Sequence, residues 1–241
     1  MSIIDDLLIL TDNLNSITLS EIGDNLPNQS KQIIASALGR LTSKKLIDKK
    51  ISQNNTSFII TKSGRDKINS TLNSVKLYSD KRNDNHSWQF VIFDIPEKNR
   101  SSRDAFRNYL ISLGFGKLQD SIWVSSHNYY DDIHKTIKIL NIQNLVTVIS
   151  TANLSNIQEQ ELIDKTNWNW KDINNSYQEY IKESNKFLTN KNKTSYNARR
   201  LVFKFAKTLT RDPKLPEYLQ PKKTLTGEAF NIYQKIRSFC Y

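Results

Sequence analysis

Hydrophobic residues recur every three or four positions through the first 45 residues of the chain, which predicts three amphipathic helices. The third helix, over residues 30–45, has an apolar face formed by Ile33, Ile34, Ala37, Leu38 and Leu41. Two short apolar runs, residues 46–51 and 56–61, then surround a polar turn, and helical spacing returns at 65–74. Three helices followed by a β-hairpin are typical of a winged helix-turn-helix domain, which we predict for residues 1–74.

A second pattern begins at Trp88, where a short aromatic and β-branched run ends at Asp94-Ile95-Pro96 and predicts a buried strand. Ser101 and Asp104 fit a capping box at the start of the next helix. The predicted order is strand, helix, strand, strand, helix, strand, at residues 88–93, 101–113, 117–120, 121–125, 133–140 and 145–149. This β-α-β-β-α-β order predicts a ferredoxin-like domain over residues 88–152.

The segments around this domain have simpler patterns. Residues 75–87 are polar and charged, and we interpret them as a linker. Residues 160–241 show helical spacing on both sides of a polar break at 189–197, and they predict a helical carboxy-terminal domain. The expected fold class is therefore α+β, with a winged helix-turn-helix domain, a ferredoxin-like domain and a helical domain in that order.

The net charge of +11 is unevenly distributed along the chain. Residues 31–67 hold nine basic and two acidic residues, and residues 165–241 hold sixteen basic and six acidic residues. Residues 85–164, with seven basic and nine acidic residues, are nearly neutral. Two basic blocks around a neutral centre are typical of proteins that bind polyanions such as nucleic acid. A solvated lysine-rich surface is the alternative interpretation.

The first basic block begins at the predicted third helix and continues into the hairpin, which are the elements that a winged helix places on DNA. Amide side chains suit adenine edges and arginine suits guanine, whereas lysines mostly contact phosphates. The candidate DNA-binding residues are Gln29, Ser30, Lys31, Gln32, Ser36, Arg40, Lys44, Lys49, Lys50 and Asn54. Winged helices also serve as protein-interaction modules, so an interaction protein with no nucleic-acid role is a further hypothesis.

Two other groups of residues are candidates for chemistry. Asp94, at the end of a central strand, could hold a divalent metal, or its carboxylate could cap the next turn through the amides of Ser101 or Ser102. A basic stripe in the carboxy-terminal segment could contact an anionic effector or flanking DNA, and a plain solvated face is the alternative. The stripe consists of Arg200, Lys204, Lys207 and Arg211.

The remaining composition bears on the compartment. The one cysteine, Cys240, cannot form a disulfide within the chain, which fits a reducing compartment. The first residues lack the basic-then-apolar order of a signal peptide, and no apolar run approaches the ~20 residues that span a bilayer. We therefore expect a cytoplasmic protein with no membrane partner.

Three stretches resemble the PaaX-type bacterial transcriptional repressors: "SKQIIASALGRLTSKKLIDKK", "WQFVIFDIPEKNRSSRDAFRNYLISLGFGKLQDSIWVS" and "RDPKLPEYLQPKKTLTGEAFNIYQKI". Lys44-Lys45 departs from the family, which usually has a glycine before the leucine, and Thr224-Leu225 replaces a tryptophan. The middle stretch is in turn similar to the small CRISPR-associated nucleases of spacer acquisition, where the residue matching Asp94 is the proposed metal ligand. The family resemblance also implies an acyl-coenzyme A effector that releases DNA.

Residues and resemblance together predict a dimeric, non-enzymatic DNA-binding regulator, a repressor, that needs no cofactor. Its expected partners are double-stranded DNA, a second copy paired through the ferredoxin-like and carboxy-terminal domains, and an acyl-coenzyme A effector. The alternative is a metal-dependent nuclease that uses Asp94.

Overall fold

The computed structural model describes residues 1–52, 55–81, 87–152 and 154–240, without the side chains of residues 80, 81, 156 and 157. The fold is mixed α/β with a helical carboxy-terminal segment. It divides into two compact units, of which the first comprises residues 1–73, 178–206 and 227–241 and the second residues 74–177 and 207–226. The segment predicted as one helical domain therefore contributes residues to both units.

The first unit begins with three helices and a small sheet. Capping boxes start the first two helices: Ser2 and Asp5 at the first, and Thr18 and Glu21 at the second. The strands pair antiparallel in the order β1-β3-β2, where β1 is a three-residue strand that the sequence pattern does not indicate. The elements are α1 (Ile3–Leu14), β1 (Ser16–Thr18), α2 (Leu19–Asn25), α3 (Lys31–Ser43), β2 (Ile47–Ser52) and β3 (Asn55–Ile60).

The next helix, α4 (Lys62–Lys81), is longer than predicted. It continues through residues 75–81, the first part of the predicted linker, since Ile68 and Val75 keep the helical spacing of buried residues. Residues 82–86 of that linker lie outside the described residues.

The second unit is built around a four-stranded antiparallel sheet in the order β5-β6-β4-β7. Its elements are β4 (Trp88–Phe93), α5 (Arg100–Ser112), β5 (Gly116–Gln119), β6 (Ile122–Ser125), α6 (Tyr130–Ile139), β7 (Val146–Thr151) and α7 (Asn156–Lys165). The predicted capping box is wrong: α5 begins after Asn99, which makes no side-chain capping bond. Arg103 instead donates to the Ile95 carbonyl and to Glu97.

Both faces of this sheet are covered. Val91 and Phe93 of β4 face a core that includes Phe106 of α5 and Ile133 of α6. Trp88, on the opposite face of β4, packs instead in a cluster with Val124, Ile163, Leu215 and Leu219. Alternation along one strand thus supplies two separate cores.

Three further helices complete the described residues: α8 (Trp170–Thr189), α9 (Ser195–Leu209) and α10 (Thr226–Ile236). Tyr196 and Phe203 of α9 belong to the core of the first unit, together with residues of α1, α3 and the β2–β3 hairpin. None of the helices in the described part of the chain combines the length and the hydropathy that crossing a bilayer demands.

Candidate nucleic-acid interface

Helix α3 is closed at both ends by local hydrogen bonds. The Ser30 hydroxyl accepts a bond from the amide of Ile33 at 3.3 Å, so this predicted DNA contact also serves as the N-cap. At the other end Lys45 adopts a left-handed conformation with φ +55°. The Lys45 amide donates to Thr42 (2.9 Å) and the Leu46 amide to Leu41 (2.9 Å), which is the Schellman motif.

The left-handed position at Lys45 explains why a glycine is expected before the leucine. Glycine has no Cβ and enters this conformation without strain, whereas a lysine there costs about 1 kcal/mol. The backbone at Lys45 is therefore strained in this turn, and the exposed Lys45 side chain adds one more cation beside α3.

The exposed face of α3 carries four of the ten predicted DNA contacts. Lys31, Gln32, Ser36 and Arg40 are exposed, and Gln29, just before the helix, is exposed as well. The buried stripe consists of Ile34, Ala37, Leu38 and Leu41.

The prediction that Ile33 belongs to the buried stripe is wrong, because its side chain is 48% exposed. At about 100° per residue it lies roughly a quarter-turn from the centre of the stripe. On that flank its neighbours one and two turns along the helix are Ser36 and Arg40.

The hairpin presents two of the predicted lysines. Only Ile47 of β2 is buried, and the rest of the strand is exposed. Lys49 pairs with Phe58 and Lys50 with Ser57 of β3, so the two lysines project from opposite faces of the hairpin. Asn54, the last predicted contact, lies outside the described residues.

The basic side chains of α3 and the hairpin have no acidic partner close by among the residues that the structure describes. Across the described residues, no carboxylate lies within ion-pair distance of Lys31, Arg40, Lys44, Lys49 or Lys50. Asp48 is the sole acidic residue between Lys31 and Lys62 in the sequence. We call the group Lys31, Arg40, Lys44, Lys49 and Lys50 the α3–hairpin cations.

The predicted carboxy-terminal stripe has a different environment. Arg200 donates to Asp6 (2.7 Å) and to Glu183 (3.2 Å). Lys204 is buried and lies 2.8 Å from Glu183 and 3.5 Å from Glu179. Burial alone would raise the pKa of Glu183, but the hydrogen bond and charge of Lys204, with help from Arg200, hold that pKa below its usual range.

The other two members of the stripe lie in the second unit, where both are exposed. Arg211 donates to the Ser176 hydroxyl at 3.0 Å, and Lys207 lies near the end of α9. Arg200 and Lys204 are thus paired with carboxylates, whereas the side chains of Lys207 and Arg211 are exposed.

Asp94 follows β4 and its side chain is exposed. Its amide donates to the Leu145 carbonyl at 3.0 Å, and no bond from Ser101 or Ser102 to its carboxylate occurs in the described residues. Glu97, the nearest acid in sequence, is bound by Arg103 at 2.7 Å, which lowers the pKa of Glu97. Within the described ranges, no group of three or more His, Cys, Asp or Glu side chains is placed to hold a metal ion.

Asp212 has a structural importance that the pattern of the sequence does not indicate. Its buried carboxylate accepts hydrogen bonds of 2.8 Å from the Tyr177 hydroxyl, the Thr226 hydroxyl and the Lys214 amide. Burial and this carboxylate raise the pKa of Tyr177 well above its usual value. In the sequence, Asp212 belongs to the stretch "RDPKLP", which resembles the PaaX-type repressors. That resemblance is the signal that could have indicated its importance, and the stretch is a folded segment here.

Comparison with known proteins gives a consistent result. The model of the PaaX protein central Cas2-like domain matches residues 81–163, and that of the PaaX-like protein C-terminal domain matches residues 168–240. Among curated proteins, none matches the sequence.

One solved structure, the uncharacterized protein Rv0674 from Mycobacterium tuberculosis, is similar in fold with a TM-score of 0.54 at 13% identity. That alignment covers 96% of this chain and 91% of the other. The two domain matches account for most of the chain and agree with the resemblance of its motifs, so the chain belongs to the PaaX family and has a Cas2-like domain at its centre.

Proposed function

We propose that the protein is a dimeric DNA-binding transcriptional regulator, a repressor, that grips a duplex with α3 and the β2–β3 hairpin. The order α1, α2, α3 and hairpin, with β1 completing a three-stranded sheet, agrees with a winged helix-turn-helix domain. Membership of a family of regulators supports the same function.

The observation that carries the proposal is the state of the α3–hairpin cations. Five positive side chains lie on one helix and the adjoining hairpin, exposed and without an acidic partner in the described residues. Exposed Lys and Arg side chains are the groups that contact phosphates and displace counterions when a protein binds a duplex. The surface therefore suits a polyanion.

Base reading by Arg40 can be tested on a selected operator. A pool of random duplexes is enriched on the protein, and gel shifts then compare the best sequence with an unselected duplex. We expect Arg40→Ala to weaken binding to the selected duplex by about 1–3 kcal/mol more than to the unselected one. Equal losses on both duplexes would show that Arg40 contacts only the backbone.

We propose that the Cas2-like domain pairs two copies. The strand order β5-β6-β4-β7 with helices α5 and α6 agrees with a ferredoxin-like sheet, and β7 is an edge of the sheet. Val146–Thr151 has no charged residue, although exposed edges normally carry charges that prevent pairing. A second copy that pairs with this edge would form the symmetric dimer that operator readers commonly use.

Sedimentation velocity tests the dimer. Ile149 of β7 is 47% exposed, and we expect Ile149→Lys to shift a dimer towards monomer. The matched control is Ile139→Lys on α6, a residue that is 77% exposed and outside the edge strand. A wild-type monomer at micromolar concentration, or an unchanged dimer in Ile149→Lys, would contradict this interface.

We propose an acyl-coenzyme A effector on the basis of the family. Arg200 and Lys204 are bound by carboxylates and are not proposed as its contacts. Lys207 and Arg211 are exposed and are the members of the stripe that could meet phosphates. If Lys207 and Arg211 bind the effector, an acyl-coenzyme A should release bound duplex from the wild-type protein. A double variant with Lys207→Ala and Arg211→Ala should no longer release the duplex.

The nuclease alternative has one favourable observation, the exposed Asp94 carboxylate at the end of a strand in a Cas2-like domain. The engagement of Glu97 by Arg103 leaves Asp94 without its nearest acidic neighbour. Magnesium-dependent cleavage of DNA or RNA that disappears in Asp94→Asn would establish this function in place of simple binding.

A further inference from the structure

We infer that the amino-terminal end of α3 reads A·T base pairs in the major groove, with Ile33 in contact with thymine methyl groups. The inference rests on the proposed function, since it names the sequence class that the same surface recognises. It depends on the exposure of Ile33, which the hydrophobic pattern alone assigned to the core.

Ile33 has an exposed position near the start of α3. Its side chain is 48% exposed and takes no part in the core of the first unit. A large β-branched side chain on the surface is ordinary by itself, but this one lies in the first turn of α3. In helix-turn-helix proteins, the first turns of the recognition helix are the part that reaches base edges.

The major groove of DNA displays an apolar group that an isoleucine can contact. The thymine methyl is the apolar group that a base pair displays at the major-groove edge, so an exposed isoleucine discriminates A·T from G·C there. The neighbours of Ile33 agree with this: Gln32 and Gln29 are exposed amides, which suit the N6 and N7 atoms of adenine. At this end of the helix the isoleucine thus favours thymine and the two glutamines favour adenine, which are the two bases of an A·T pair.

Small residues on the exposed surface of α3 leave Ile33 accessible to a base pair. A Cβ atom built on Gly39 would meet nothing within 4 Å, and Ala35 and Ser36 on the same exposed surface are small. Arg40, the side chain suited to guanine, lies seven residues beyond Ile33, about 10 Å along the helix. We therefore place the A·T contacts at the amino-terminal end of α3 and any guanine contact towards its other end.

Modified duplexes test the inference directly. Four labelled duplexes of about 24 base pairs, with alternating A·T, A·U, I·C or G·C pairs, are titrated with the protein by fluorescence anisotropy. The A·T and A·U duplexes differ only in the thymine methyl. The A·T and I·C duplexes share minor-groove groups and differ in the major groove.

We expect the A·T duplex to bind more tightly than the A·U duplex by about four-fold for each methyl that Ile33 buries. Ile33→Ala should bring this ratio close to one, whatever its effect on binding to both duplexes together. Ile139→Ala, which truncates an exposed isoleucine of α6, should leave the ratio at its wild-type value. Replacing adenine by 7-deazaadenine should weaken the binding of the duplex to the wild-type protein. It should have no effect on the affinity of a double variant that carries Gln29→Ala and Gln32→Ala.

The outcomes separate the inference from the proposed function. Binding to all four duplexes with equal affinity would overturn the inference and leave DNA binding intact. Equal binding to A·T, A·U and I·C above G·C would also overturn it, because the preference would then come from the minor groove. Failure to bind any duplex at about 50 mM salt would remove the proposed function itself.

Discussion

Two groups of basic residues, both indicated by the sequence as candidate anion-binding sites, have opposite environments in the fold. The α3–hairpin cations are exposed and unpaired in the described residues, whereas Arg200 and Lys204 of α9 are held by Asp6, Glu183 and Glu179. Asp6 and Arg200 are 194 positions apart in the chain. The difference teaches that a basic stripe is a binding surface only if the fold brings no carboxylates to it.

The largest expected effect is on stability. Arg200→Met should lower the free energy of unfolding by about 3 kcal/mol, because it leaves the buried Asp6 carboxylate without its cation. Lys49→Met, at an exposed hairpin position, should change stability by less than about 0.5 kcal/mol. Urea unfolding of the three proteins measures both, and similar losses in the two variants would remove the contrast between the two groups.

The second expected effect is on the loss of stability at acidic pH. Because the pKa of Glu183 is lower in the folded protein than its ordinary value of 4.5, its ion pair stabilises the fold above that pH. This contribution should disappear as the pH falls below 4.5 and through the folded-state pKa. Urea midpoints between about pH 3 and 6 should therefore fall less steeply in Lys204→Met than in wild type. Parallel curves would show that Lys204 does not set the pKa of Glu183.

The smallest expected effect is a gain in stability, whereas Arg200→Met causes a loss. Lys45→Gly removes a cation beside α3 and relieves its left-handed strain, so it should raise stability by about 1 kcal/mol. Lys44→Gly is the matched control, because Lys44 has an ordinary φ of −83° and should lose stability on the same substitution. Thermal unfolding distinguishes them, and a loss of stability in both variants would contradict the account of the turn.

Local periodicity predicted most helices and strands, since buried stripes such as that of α3 follow the helical repeat. It missed β1, whose three residues are a strand only because β3 lies beside them. It also placed Ile33 in the core, since an apolar residue at the edge of a stripe carries no signal of its exposure. The candidate lysines of the hairpin could be named from sequence, whereas the pairing of Arg200 with Asp6 depends on tertiary structure.

The salt dependence of duplex binding tests the central claim most directly. Between about 50 and 200 mM NaCl, replacing Lys44, Lys49 and Lys50 together by Met should reduce the slope of log K against log salt by about 2.7, or 0.9 per phosphate contact. The matched control replaces Lys98, Lys135 and Lys138, three exposed lysines of the second unit, and should keep the wild-type slope. An identical slope in wild type and in the Lys44, Lys49, Lys50 variant would contradict the claim that these cations grip DNA.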